Sequence, residues 1–193
     1  MKGTSLIVII ALLVIGFMAW KGYNGLIVED ENVNKAWNNV QSEYQKRNDL
    51  VGNLVNTVKG AAKFEQETLT KVIEARSKAT SVNITADQLT PENINKFQAA
   101  QGEVSSALSR LLAVVESYPD LKANQNYLQL QGQLEGIEND IRASRQTFNT
   151  AINSYNTKVR SFPMNILGSL FGFKAKEGFK ADEGADKAPK VEF

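Results

Sequence analysis

The chain has 193 residues, with 22 Lys and Arg against 21 Asp and Glu, and neither Cys nor His. A net charge of +1 lacks the basic excess that phosphate binding demands, so no nucleic-acid partner is expected. Without thiols or imidazoles there are no disulfides, no cysteine nucleophiles, no N/S zinc sites and no His general base; no enzymatic activity and no cofactor are expected.

Residues 1–28 read as a transmembrane anchor. Gly3 to Trp20 is an uncharged run that contains LIVIIALLVIGFMAW, and as a helix it is about 27 Å long at ~1.5 Å per residue. That is near the lower limit for crossing the hydrocarbon core. Leu6, Ile10, Val14, Phe17 and Trp20 are taken as membrane-spanning positions. Trp20 and Tyr23 fall where interfacial aromatics belong, and Lys21 can reach the headgroups. A cleaved leader is the rival reading. Its cleavage site requires small residues in an A-x-A-like arrangement, and Met18-Ala19-Trp20-Lys21-Gly22 is a poor match. Lys2 lies on one side of the span and Lys21 and Lys35 on the other; the reading places the bundle on the extracytoplasmic side.

Residues 29–162 carry apolar side chains at alternating steps of three and four, which is the spacing of helices packed in a coiled-coil-like bundle. The first run is Val33, Trp37, Val40, Tyr44, Arg47, Val51, Leu54 and Val58, then Ala62, Glu65, Leu69, Val72 and Arg76. One step of four at Val58 to Ala62 reads as a local unwinding of a single helix that ends near Ala79. Thr90-Pro91 begins a second helix, with Thr as N-cap and Pro in the first turn. Its seam is Ile94, Phe97, Gln101, Val104, Leu108, Leu111, Val115 and Tyr118, and Tyr118-Pro119 ends it. The third seam runs Tyr127, Leu130, Leu134, Ile137, Ile141, Ser144, Phe148, Ala151, Tyr155, Val159 and Phe162. The expected fold is all-α: a transmembrane helix that continues into a long antiparallel three- to four-helix bundle. The first helix, about 80 Å from Leu26 to Ala79 at ~1.5 Å per residue, exceeds its partners and should expose part of its seam. Such a stripe favours a homo-oligomer.

Arg47, Glu65 and Arg76 fall on seam positions, and Glu116, Glu138 and Arg142 lie beside seams. Interhelical ion pairs that fix register are the plainer reading; a buried site for a ligand is the alternative. Gly132 and Gly136 suggest close backbone packing within the bundle. Residues 163–173 form an amphipathic segment in which Met164, Ile166, Leu167, Leu170, Phe171 and Phe173 could touch membrane, a partner or the chain's own bundle. Residues 174–193 balance five Lys against five Asp and Glu and read as a disordered tail with Phe179 and Phe193 as weak contact points.

Four dispersed stretches resemble the LemA family of bacterial membrane proteins. They are Ala36-Trp37 with Lys46-Arg47-Asn48-Asp49-Leu50-Val51-Gly52-Asn53-Leu54-Val55; Val114-Val115-Glu116-Ser117-Tyr118-Pro119-Asp120-Leu121-Lys122-Ala123-Asn124; Leu134-Glu135-Gly136-Ile137-Glu138-Asn139 with Ile141-Arg142-Ala143-Ser144-Arg145; and Phe148-Asn149, Tyr155-Asn156-Thr157 and Phe162-Pro163. The family pattern usually has Pro where Gly52 stands and Tyr where Phe148 stands. The resemblance implies a single-pass protein of the bacterial inner membrane, without enzymatic activity. A relative's link to magnetosome compartments implies a part in membrane organisation. Two functions follow as expectations. One is a self-assembling scaffold whose partners are the lipid bilayer, its own copies and other membrane proteins. The other is a sensor or adaptor that binds a ligand within its bundle.

Overall fold

The computed structural model describes residues 2–60 and 65–180. Among them all regular structure is helical. Helix α1, Lys2–Lys59, starts in the apolar run and continues unbroken into the bundle. It stays helical through Gly52, where the family pattern has Pro. Helix α2 is Gln66–Ser81, α3 is Pro91–Val115, α4 is a single turn at Pro119–Lys122, and α5 is Gln125–Arg160. A last turn, α6 at Met164–Leu167, runs into a 3-10 turn at Gly168–Phe171.

Local chemistry sets the helix starts. Thr90 is the N-cap of α3 and its hydroxyl accepts from the Asn93 amide at 3.2 Å, with Pro91 in the first turn. The Asn124 side chain accepts from the amides of Asn126 and Tyr127 at 2.9 and 3.3 Å, which caps α5. Between α2 and α3 a 3-10 turn at Ala86–Gln88 is held by a reciprocal Thr85–Gln88 capping box.

The first seam does not belong to one helix. After Lys59 the chain reverses, and α2 returns antiparallel along α1. Arg76 Nε donates to the Asn48 carbonyl at 2.7 Å across this pair. A Cβ at Gly52 would lie 3.3 Å from the Arg76 guanidinium carbon, so the missing side chain there makes room for it. The step of four read as an unwinding marks this reversal. Ala62, on that step, lies outside the described residues.

Helices α1, α2, α3 and α5 alternate in direction and form an up-down-up-down bundle. Lys78 meets Glu103 between α2 and α3. Arg47 meets Glu138 between α1 and α5, and Lys158 meets both the Gly25 carbonyl and Glu29 lower on the same pair. Helix α5 therefore covers α1 down to Gly25. The exposed stretch of seam expected on the first helix is covered instead, because α2 doubles back and α5 reaches the foot of the bundle. Val33, Val40, Val51, Leu54 and Val58 are wholly buried by the chain's own helices.

Two apolar clusters stack along the bundle. The distal one gathers Val51, Leu54, Val58, Leu69, Val72, Leu108, Leu111 and Val115. The proximal one gathers Leu26, Val33, Trp37, Val40, Ile94, Phe97, Phe148, Ile152 and Tyr155. Arg47, Gln101 and Glu138 form the layer between them. Gly132 and Gly136 do not mediate close packing: both are exposed, and a Cβ on either would meet nothing.

Residues 174–180, expected in a disordered tail, form an extended strap along α5. Phe179 is buried against Trp37, Phe97 and Phe148. The Asn149 side chain takes the backbone of Phe179 on both sides, donating at 3.0 Å and accepting at 2.8 Å. Asn156 holds Lys176 in the same two-way fashion, at 2.8 and 2.9 Å. Two such amide clamps and one buried ring offset the ordering entropy of a short strap. The rest of the tail, with Phe193, lies outside the described residues.

Candidate membrane-contacting site

From Leu6 to Trp20 the side chains of α1 are almost all exposed, and Leu6, Ile10, Val14, Phe17 and Trp20 are each more than half so. An 18-residue window there has mean hydropathy 2.2 with none of it buried in the protein. An apolar helix that touches no protein has lipid as its natural solvent.

The end of α5 and the segment after it fold against the top of this span. Met164 is buried against Gly22, where an added Cβ would come within 2.7 Å of the Met164 methyl. Gly22 thus admits the close approach of α6 to α1. Leu167 and Phe173 pack on the proximal core. Phe171 and Phe173 set their rings 5.2 and 5.7 Å from Tyr23, edge to face. The segment's other face points outward: Leu170 is 78% exposed and Phe162 73%, with Ile166 and Phe171 beside them. The expected contact residues therefore divide. Met164, Leu167 and Phe173 dock on the bundle, and Ile166, Leu170 and Phe171 form an apolar ledge level with Phe17–Tyr23. Phe162, which the heptad spacing places last on the α5 seam, belongs to this ledge instead. It lies past Arg160, where the helix has ended and the heptad no longer faces the core.

The six polar register residues also divide. Arg47, 1% exposed, donates to Gln101 Oε1 at 2.7 Å, to the Gln101 carbonyl at 3.0 Å, to Ser105 Oγ at 2.8 Å and to Glu138 at 3.0 Å. Its guanidinium also lies 5.0 Å from the Tyr44 ring centre. Arg76 binds the backbone of α1. Glu65, Glu116 and Arg142 are exposed: Glu65 precedes α2 and accepts from the Thr68 hydroxyl, Glu116 follows α3 and pairs with Lys122, and Arg142 bonds Asn139 on its own helix. Glu65 and Glu116 sit at helix ends, where the seam has already turned from the core.

At the foot of the bundle Lys158 binds Glu29 at 2.8 Å, and that hydrogen bond holds the Glu29 carboxyl below the usual carboxylate range. Because the folded value is depressed, the contribution is present above the ordinary carboxylate range and lost as pH falls through it. Glu29→Gln should destabilise the detergent-solubilised chain at neutral pH by less than about 1 kcal/mol, since the Lys158 partner stays in water, and thermal melting reads the loss. The two curves should converge only below the ordinary carboxylate range, as the native carboxyl is protonated in its turn. Burial, and then the charge of Asp30, raise the Tyr155 hydroxyl above its ordinary range.

The LemA family profile matches residues 36–193. This chain belongs to the LemA family. Among similar proteins, the magnetosome protein MamQ 2 of Paramagnetospirillum magneticum is 28% identical over 94% of this chain and 74% of its own. Protein LemA of Metamycoplasma hominis is 26% identical over 86% of this chain and 73% of its own. The magnetosome protein MamQ of Magnetospirillum gryphiswaldense is 25% identical over 85% and 66%. With one apolar span among the described residues, the chain is a membrane-associated, single-pass LemA-family protein.

Proposed function

We propose that this LemA-family chain is a non-enzymatic structural protein of the bacterial inner membrane. Its extracytoplasmic bundle presses a second apolar element into the leaflet around its own anchor and so organises or remodels that membrane. The ledge of Phe162, Ile166, Leu170 and Phe171 carries this reading, because it projects beside the end of the span and the protein leaves it uncovered. Large apolar side chains contribute ~1.5–3 kcal/mol each when fully buried, so even partial insertion of four is worth on the order of 5 kcal/mol. An element that enters one leaflet only displaces headgroups on that side. Relatives named as magnetosome proteins support a role in membrane organisation.

Copies would meet along the exposed span and ledge, since the bundle covers the seam that suggested self-association. The ligand-binding alternative is disfavoured at Arg47, whose two terminal guanidinium nitrogens are occupied by Gln101, Ser105 and Glu138.

The chain has no cysteine, so single spin labels are straightforward. In vesicles, a label at Leu170→Cys should collide with lipid-soluble oxygen, whereas one at the exposed, membrane-distal Gln131→Cys should collide with aqueous reagents. Ile166→Asp with Leu170→Asp should abolish any vesicle deformation seen with the unaltered chain and keep its helical signal. A label at 170 as wet as one at 131 overturns the proposal.

A further inference from the structure

A cavity of about 500 Å³ opens between α1 and the end of α5, with Phe17, Met18, Lys21, Gly22 and Gly25 on one side and Lys158, Phe162 and Met164 on the other. It straddles the upper edge of the apolar span. Met18, Gly22 and Gly25 share one face of α1, since they are spaced four and three apart. The two glycines leave that face low. Gly22 is filled by Met164, but a Cβ at Gly25 would meet only Lys158 Nζ, at 3.8 Å. The lower wall is apolar, with Phe17 and Met18 from the span and Phe162 from the ledge. The upper rim carries two ammonium groups and lies at headgroup height.

We propose that this groove binds one anionic phospholipid, with an acyl chain against Phe17, Met18 and Phe162 and the phosphate between Lys21 and Lys158. Charge and continuity both choose this occupant. Lys21 has no ion-pair or hydrogen-bond partner among the described residues. Lys158 spends two of its three donors on Gly25 and Glu29, and it remains 44% exposed toward the rim. Glu29 answers one of the two positive charges, so the rim keeps a net charge of +1. That charge prefers phosphatidylglycerol to a zwitterionic lipid, because the latter's own ammonium competes at the same spot. The groove is also open at the bottom to the hydrocarbon in which the anchor sits. An acyl chain enters without leaving the bilayer, while a soluble anion has no use for the apolar wall. A bound lipid would wedge the ledge against the anchor and fix its height.

The inference rests on the proposed seating of the ledge in the leaflet. The label at 170 reports that seating whatever the headgroup, so the two ideas fail separately. The test is native mass spectrometry of the full chain released from detergent supplied with phosphatidylglycerol, phosphatidylcholine or inorganic phosphate. The unaltered chain should retain one phosphatidylglycerol, about five-fold above phosphatidylcholine for each lysine engaged near the surface. Lys21→Gln should lower that retention by about the same factor. Gly25→Leu keeps both lysines and fills the groove, and it should abolish retention. Lys35→Gln, which removes a charge away from the groove, should change nothing. Equal retention of the two lipids, or retention unaltered in both Lys21→Gln and Gly25→Leu, overturns the assignment. Displacement of the lipid by inorganic phosphate does so as well, since the site would then recognise the anion alone.

Discussion

Trp37→Ala should abolish cooperative melting of the membrane-proximal half of the bundle. Trp37 is wholly buried, and the rings of Phe97, Phe148 and Phe179 stand 5.2, 5.3 and 6.0 Å from it. It ties α1 to α3, α5 and the strap through one side chain. Truncation of a buried Trp costs about 3–5 kcal/mol, a large part of the ~5–15 kcal/mol that holds a typical domain. The indole also donates to the Ile84 carbonyl at 2.8 Å and so pins the α2–α3 loop. Gln41 donates to the same carbonyl at 3.0 Å, so Trp37→Phe leaves that oxygen satisfied and should cost only about 1–2 kcal/mol. Hydrogen exchange on the full chain in detergent checks the prediction. Trp37→Ala should release amides of the strap and of the 82–90 loop, while those around Leu54 and Leu111 keep their protection. An unchanged melting curve would mean that the aromatic cluster is not what joins these elements.

The bundle was largely legible because burial writes a period into the sequence. The predicted seam residues Val33 to Val58, Ile94 to Val115 and Leu134 to Phe148 are, with few exceptions, the buried ones. A reversal of the chain resembles a stutter in that code: both shift the phase by one step, and only a backbone break separates them. Val58 to Ala62 was such a shift, and α2 folds back after it. The strap left a fainter trace. Phe179 stands alone among Lys, Glu and Gly, and no local pattern says what it touches. Its clamps, Asn149 and Asn156, lie two turns apart on one face of α5, but single amides on a helix look like ordinary surface. The ledge was half legible. Amphipathicity gathered Ile166, Leu167, Leu170 and Phe171 onto one face. That Leu167 turns inward, while Ile166 and Leu170 do not, depends on the close approach that Gly22 permits to Met164.

Arg47→Met should destabilise the full chain by about 3 kcal/mol, and the way this loss is shared with Gln101 separates a register device from a ligand site. Arg47 sits between the two apolar clusters, with Tyr44 below it and Val51 above. Methionine fills most of its volume, so the cost comes mainly from acceptors left dry. Glu138 is 38% exposed and can rehydrate, and its orphaning costs little. Gln101 is buried and its side-chain oxygen is left dry, while its main-chain oxygen keeps the Ser105 hydroxyl at 3.3 Å. Gln101→Leu alone removes one of the four acceptors of the buried guanidinium and should cost about 1–3 kcal/mol, since the residue-101 carbonyl, Ser105 and Glu138 remain. The double variant removes donor and acceptor together, so its cost should fall well short of the sum, with a coupling of about 1–3 kcal/mol. Strict additivity in thermal melting of the three variants would show that the layer is not one network. If the double variant is stable and keeps its role in cells, a ligand at Arg47 is eliminated, because methionine and leucine offer no charge to bind. The layer then does what a lone polar position does in a coiled coil: it penalises any sliding of α1 along α3 and α5 that would place Arg47 against Tyr44's cluster or Val51's.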